Sequence, residues 1–166
     1  VRTLKNMVPG RLNWFDPHVD WKQARVLDLG CAGGFMAEAM HERGAIVTGL
    51  DPAGAAIDVA RAHAEAHGRH VSYDVGVGED LPYEDAAFDL VVCVDVLEHV
   101  QCLSSVLDEV SRVLRGGGAF LFDTINNTAL ARLLTVTVAE DILGLLPRGT
   151  HNPDLFIPPQ GIVRQI

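Results

Sequence analysis

"RVLDLGCAGG", residues 25–34, decides how this chain is read. An apolar run of strand type turns at Gly30 and delivers the chain into a helical pattern, "GFMAEAMHERG" (34–44), that ends at Gly44. Working outward, "AIVTGLD" (45–51) reads as a second strand and "GAAIDVARAHAEAHG" (54–68) as a helix stopped by glycine. "HVSYDVG" (70–76) is a third strand and "FDLVVCVD" (88–95) a fourth. "CLSSVLDEVSRVLRGGG" (102–118) is an amphipathic helix with a glycine terminator, and "GAFLFDTI" (118–125) a fifth strand. Short strands alternating with helices at this spacing mean βαβ units, hence an α/β fold with a parallel sheet and helices on both faces. Ligands bind such sheets beyond the carboxyl ends of the strands, near the topological switch point. The residues just after each strand therefore carry the functional information.

The remaining composition narrows the class. At 166 residues with 48% hydrophobic content, the expected organisation is one folded domain over residues 1–166. A net charge of −9 argues against a nucleic-acid partner, which needs Lys and Arg to displace counterions from phosphates. The first 25 residues run against that balance: Arg2, Lys5, Arg11, Lys22 and Arg25 face Asp16 and Asp20. This basic segment suits a small anion or an anionic lipid surface, or is simply solvated. Three cysteines, Cys31, Cys93 and Cys102, without a C-x-x-C pair, favour a reducing, cytoplasmic compartment over a disulfide framework or zinc ribbon. The stretch 130–146 is apolar with helical spacing but contains Arg132, Glu140 and Asp141, so it is too short and too charged to span a bilayer. It reads as core packing, or as a flap that covers a greasy substrate or rests peripherally on the inner face of a membrane.

The strand ends carry recognisable chemistry. After the first strand, Asp28, Gly30, Ala32, Gly33 and Gly34 make an acidic, glycine-rich loop that lets a ligand approach the backbone at a helix N-terminus. Ala32 breaks the G-x-G-x-x-G dinucleotide fingerprint. After the second strand comes Asp51, about 20 residues beyond the first glycine, the spacing of an acid that accepts both hydroxyls of a ribose. It could equally be a turn former before Pro52. Glycine loop and ribose acid together leave two cofactor classes, a nicotinamide dinucleotide or S-adenosylmethionine (SAM). After the third strand Val77 stands where many SAM enzymes have an Asp, leaving the backbone at Gly78 and Glu79 to meet the adenine. After the fourth, "VVCVDVLEHV" (91–100) brings out Asp95, Glu98 and His99. His99 or Glu98 could relieve a phenolic acceptor of its proton as a base, or all three could hold a metal that lowers the acceptor's pKa, or Glu98 and His99 merely open a helix in water. His63 and His67 have i, i+4 zinc-ligand spacing, but on an alanine-rich helix they read as a solvated face.

With "VLDLGCAGG", "GLDP", "FDLVVC" and "LEHV" in view, the chain resembles the class I SAM-dependent methyltransferases, with their Rossmann-like fold. More narrowly it is similar to the UbiG-type 3-O-methyltransferases of ubiquinone biosynthesis, on "PGRLNWF", "VCVDVLEHV", "DTIN" and "AEDILGLLPRGTHNPDLFIPP". The resemblance spans essentially the whole chain. It implies SAM as cofactor and a phenolic or catechol acceptor, such as a polyprenyl quinone precursor. Relatives in secondary metabolism methylate other oxygens, nitrogens or carbons, and a non-catalytic SAM-binding subunit is a further alternative. Carried over, Arg11, Asp28, Gly30, Gly34, Asp51, Gly78 and Val94 are cofactor-binding positions. Asp95, Glu98 and His99 match a catalytic cluster associated with a divalent metal, here Mg2+, although Asp95 replaces a Glu. Asn126 matches an asparagine after the fifth strand. The family's C-terminal antiparallel hairpin is expected to be missing, with the chain truncated at both ends.

Overall fold

The structure, a computed structural model, describes residues 2–123. The segment 130–146, Asn126 and the expected loss of the C-terminal hairpin therefore lie outside the described residues. Helix α1 (Arg2–Phe15) leads through a 3-10 turn (Asp16–His18) into β1 (Arg25–Leu29). There follow α2 (Phe35–His41), β2 (Ile46–Asp51), α3 (Gly54–Ala66), β3 (Ser72–Val75), β4 (Phe88–Val94), α4 (Leu103–Val113) and β5 (Leu114–Asp123). The strands form one sheet of order β3-β2-β1-β4-β5. Every pairing is parallel. The chain winds outward from β1 to β3, then crosses to β4 on β1's other side. The switch point lies between β1 and β4, where the expected α/β architecture puts a ligand.

The two-residue period of the strands sorts side chains onto the two faces. Val26, Val47, Leu90 and Val92 pack with Leu12 and Phe15 of α1, Met36 and Met40 of α2, and Ile57 and Ala60 of α3. Leu27, Leu29, Val91 and Cys93 point the other way and pack with Val106, Leu107, Val110 and Val113 of α4. Each fully buried side chain of this size contributes roughly 1.5–3 kcal/mol. Leu12 and Phe15 thus clamp α1 to the sheet, which brings its neighbour Arg11 over the carboxyl ends of β4 and β5.

Two boundaries differ from the sequence expectation. The fourth helix stops at Val113 rather than running to the glycines, and β5 begins at once with Leu114 opposite Phe88. The ladder resumes only at Ala119 opposite Leu90, so Gly116–Gly118 form an irregular insert in the strand. Gly117 has φ +78°, and a Cβ on Gly118 would lie 2.8 Å from the Asp89 carbonyl oxygen. The glycines permit a tight bulge instead of capping a helix.

His63 is not merely solvated either. Its Nδ1 lies 2.7 Å from Oε1 of the buried Glu38, whose other oxygen accepts from Arg69. Nδ1 of His67 contacts the His63 carbonyl oxygen at 2.7 Å. His63 thus helps pin α3 to α2.

Candidate functional site

Asp51 closes the glycine loop onto the sheet. One carboxylate oxygen accepts the Ala32 N–H (2.9 Å) and the other the Ala53 N–H (2.8 Å). The Gly30 and Cys31 N–H groups donate to the Leu50 carbonyl at 2.8 and 3.1 Å. Ala32 is held at φ +45° and Gly30 at +77°, so the loop turns sharply at the end of β1. Gly30 has no room for a side chain: its Cβ would meet Val96 Cγ2 at 2.2 Å. Gly34, at φ +79°, faces the Tyr73 hydroxyl, which would lie 2.3 Å from a Cβ. Its small size is used for packing against β3, and it lines neither of the clefts around the loop.

Those clefts lie on either side of Gly30. One, of about 190 Å³, is lined by Val8 and Arg11 of α1, Asp28, Ala32, Phe35, Val94 and Asp95 among others. The other, of about 200 Å³, is lined by Leu50, Pro52, Gly78, Glu79, Val96 and His99 among others. Gly30 belongs to both. The first cleft contains an unusual charge. Asp28 is 2% exposed, on the α1–α3 face of the sheet beside Val26. Burial pushes its carboxyl up to about 7, and the nearby Asp51 charge adds to the effect. Its Oδ2 has no hydrogen-bond partner within the protein. A buried, unsatisfied carboxylate oxygen facing a cleft calls for a cationic donor.

The carboxyl ends of β4 and β5 form the rim. Arg11 donates to Asp95 through Nη2 and forms an ion pair with Asp123 through Nε, the latter at 2.8 Å. Asp123 Oδ1 also accepts the Asp95 N–H at 2.8 Å. Burial is the main cause that raises the Asp123 carboxyl above its ordinary range, with the Asp95 charge adding to it and Arg11 opposing it. Asp95 itself stands at φ +54°.

The sequence grouped Asp95, Glu98 and His99 as one catalytic or metal-binding cluster, but the structure distributes them. Asp95 lines the cleft that holds Asp28, His99 lines the other, and Glu98 is 4% exposed. Among the described residues no group of three or more His, Cys, Asp or Glu is arranged to hold a metal ion. Asp95, left-handed, pairs with Arg11 of α1, while the turn closed by the His99 N–H on the Val96 carbonyl carries His99 at the other cleft.

Sequence reasoning missed three contributors. Val96 covers Gly30. Glu79, expected to offer only its backbone, accepts the N–H groups of Gln101 (2.8 Å) and Cys102 (3.4 Å) and so ties down the chain just before α4. Asp123 braces the rim. Its signal was present, because β2, β4 and β5 each lead into an aspartate at the same end of the sheet, at Asp51, Asp95 and Asp123.

Comparison with known proteins places this geometry. Residues 27–122 match a family model described as a methyltransferase domain. The ubiquinone biosynthesis O-methyltransferase of Pseudomonas syringae pv. tomato is 43% identical over 159 residues, covering 95% of this chain and 68% of the relative. This chain belongs to the ubiquinone biosynthesis O-methyltransferase family. The Idiomarina loihiensis member is 39% identical, with 98% of this chain and 68% of that protein covered. A crystal structure of a SAM-dependent methyltransferase from Mesorhizobium loti superposes with a TM-score of 0.65 at 27% identity, over 72% of this chain and 56% of that one. The fold is thus the Rossmann-like class I methyltransferase fold, and the family is one of SAM-dependent enzymes. Within it, the paired clefts about Gly30 lie where the α/β sheet places a ligand, at the β1/β4 switch point.

Proposed function

We propose that this chain transfers the methyl group of SAM to a phenolic or catechol oxygen of a polyprenyl quinone precursor. The observation that carries the cofactor assignment is Asp28, a buried carboxylate with a free oxygen in a cleft that Gly30 joins to a second one. The residues fit a long cationic ligand laid across the loop. Asp28 would take the methionine ammonium. Arg11 would take the carboxylate, since a guanidinium has five donors and Asp95 and Asp123 use only part of them. Asp51 would meet the ribose, Gly78 and its neighbours the adenine, and Val94 the apolar flank near the sulfur.

Bound SAM supplies an activated methyl on a sulfonium, so the chemistry asked of the protein is modest. The acceptor oxygen forms the new C–O bond as the C–S bond breaks, and sulfur keeps the bonding pair as a neutral thioether. The chain's own tasks are to align the acceptor and to remove its proton, whose pKa in a phenol is about 10. Asp95 is on the methionine-side cleft, His99 on the other, and either could receive that proton. The Mg2+ implied by the resemblance would need Asp95, Glu98 and His99 together. In this arrangement they do not fit it, because Asp95 is engaged by Arg11, Asp95 and His99 line different clefts, and no such group is arranged to hold a metal ion among the described residues. No step is routed through a metal.

The polyprenyl acceptor suits a cytoplasmic enzyme working beside a membrane, with 130–146 as the contact. None of the helices among the described residues is long and apolar enough to cross one. The test is calorimetric titration with SAM, followed by methyl transfer from labelled SAM to a panel of catechol and polyprenyl-phenol acceptors. SAM binding with transfer to oxygen supports the reading. Binding with transfer only to nitrogen or carbon acceptors would reassign the acceptor, and no SAM binding would remove the function.

A further inference from the structure

Asp95 is not a glycine, yet it adopts φ +54°. Such a conformation persists where the surroundings over-determine it. A single residue on the next strand contacts Asp95 and its side-chain partner. Asp123 stands in register opposite Val94 at the end of β5. Its Oδ1 accepts the Asp95 N–H at 2.8 Å, and its Oδ2 forms an ion pair with Arg11 Nε at 2.8 Å. Arg11 in turn donates to the Asp95 carboxylate. Both oxygens of Asp123 therefore act on Asp95, one through its backbone and one through its side-chain partner.

The consequence runs down the loop. With Asp95 turned left-handed, Val96 seats on Gly30, at the junction of the two clefts. The Val96 carbonyl then accepts the His99 N–H at 2.8 Å, which closes the turn that carries His99.

We propose that Asp123 is a positioning residue for methyl transfer: its carboxylate holds Asp95 in the left-handed conformation and so sets the loop that places Val96 on Gly30 and His99 in its cleft. The kinetic part rests on the methyl-transfer reading, whereas the conformational part does not. The essential element is an acceptor oxygen for the Asp95 N–H, not a second charge. Asn keeps that oxygen and gives up the one paired with Arg11. Ala and Val remove it, and Val, well suited to a strand, serves should the alanine variant not fold.

The experiment compares wild type, Asp123→Asn, Asp123→Ala and Asp123→Val by amide hydrogen exchange over residues 94–101 and by kcat and KM for SAM. Expected are wild-type protection in Asp123→Asn and an at least tenfold loss of protection in the Ala and Val variants. Turnover should follow: kcat within about threefold of wild type for Asn, and at least tenfold lower for Ala and Val. Unchanged exchange in Asp123→Val overturns the proposal. So does an Asn variant that falls as far as Val, which would mean that charge or proton transfer is what matters. Lost protection in the Ala and Val variants, with a wild type that binds no SAM, would leave the conformational role standing and fault the methyl-transfer reading instead.

Discussion

Asp28 illustrates how much a single buried atom can decide. Its carboxyl, raised to about 7, remains protonated in the folded state where an ordinary aspartate is ionised. Below about pH 4 both states are protonated and the group costs nothing. As pH rises toward 7 the unfolded chain ionises first, so this residue's contribution to stability is lost through that window. Asp28→Asn should therefore leave the melting temperature at pH 8 equal to or above wild type, while SAM affinity falls at least tenfold by calorimetry. A cationic ligand favours the ionised form, so the wild-type affinity for SAM should weaken as pH drops from 8 to 6, approaching tenfold per unit below 7. His99 poses a different question at this scale. If it is the proton acceptor, His99→Ala should lower kcat by about 10²–10⁴ with SAM affinity kept. If it only lines its cleft, SAM affinity falls and kcat at saturation holds; steady-state kinetics with calorimetry separate the two.

Between elements, the binding loops are held by side chains that never need to touch a ligand. Glu38 is 2% exposed and joins α2 to His63 of α3 and to Arg69. Removing Glu38 takes away the buried acceptor that joins these partly exposed partners and leaves a space in the core, so Glu38→Ala should cost about 1–3 kcal/mol in urea unfolding. Gly34 is a sharper case. Its positive φ and the Tyr73 hydroxyl 2.3 Å from a Cβ mean that Gly34→Ala should lower stability by about 1–3 kcal/mol. Because Gly34 lines neither cleft, the SAM affinity of the fraction that remains folded should change little, which thermal denaturation and calorimetry would read separately. The sequence marked Gly34 as a cofactor glycine because it falls in the loop motif. A motif specifies the residue types that a turn needs, but not whether each is small for a ligand or for a neighbouring tyrosine.

For the whole molecule, ligand binding and stability are linked. A SAM site formed only when α1, β1, β4 and β5 are assembled should raise folding stability by about 2.7 kcal/mol at a hundredfold excess over Kd. Thermal shift against SAM concentration measures it. The alternation of strands and helices, the parallel sheet and the glycine loop before Asp51 were all legible in the sequence, because hydrophobic period and turn chemistry are local properties. The same holds for the family, whose motifs run along the chain. Where Asp95, Glu98 and His99 would face was not legible, although they lie within five residues, because a single left-handed residue redirects them and its cause is Asp123 on another strand. Nor was the role of α1 legible in detail: Arg11 reaches the site only because Leu12 and Phe15 bury against the sheet. The sequence by itself determined which residues gather at the carboxyl edge of the sheet. Only the tertiary structure decided which of them meet, because side-chain pairing across strands depends on register, backbone sign and burial contributed by segments far apart in the chain.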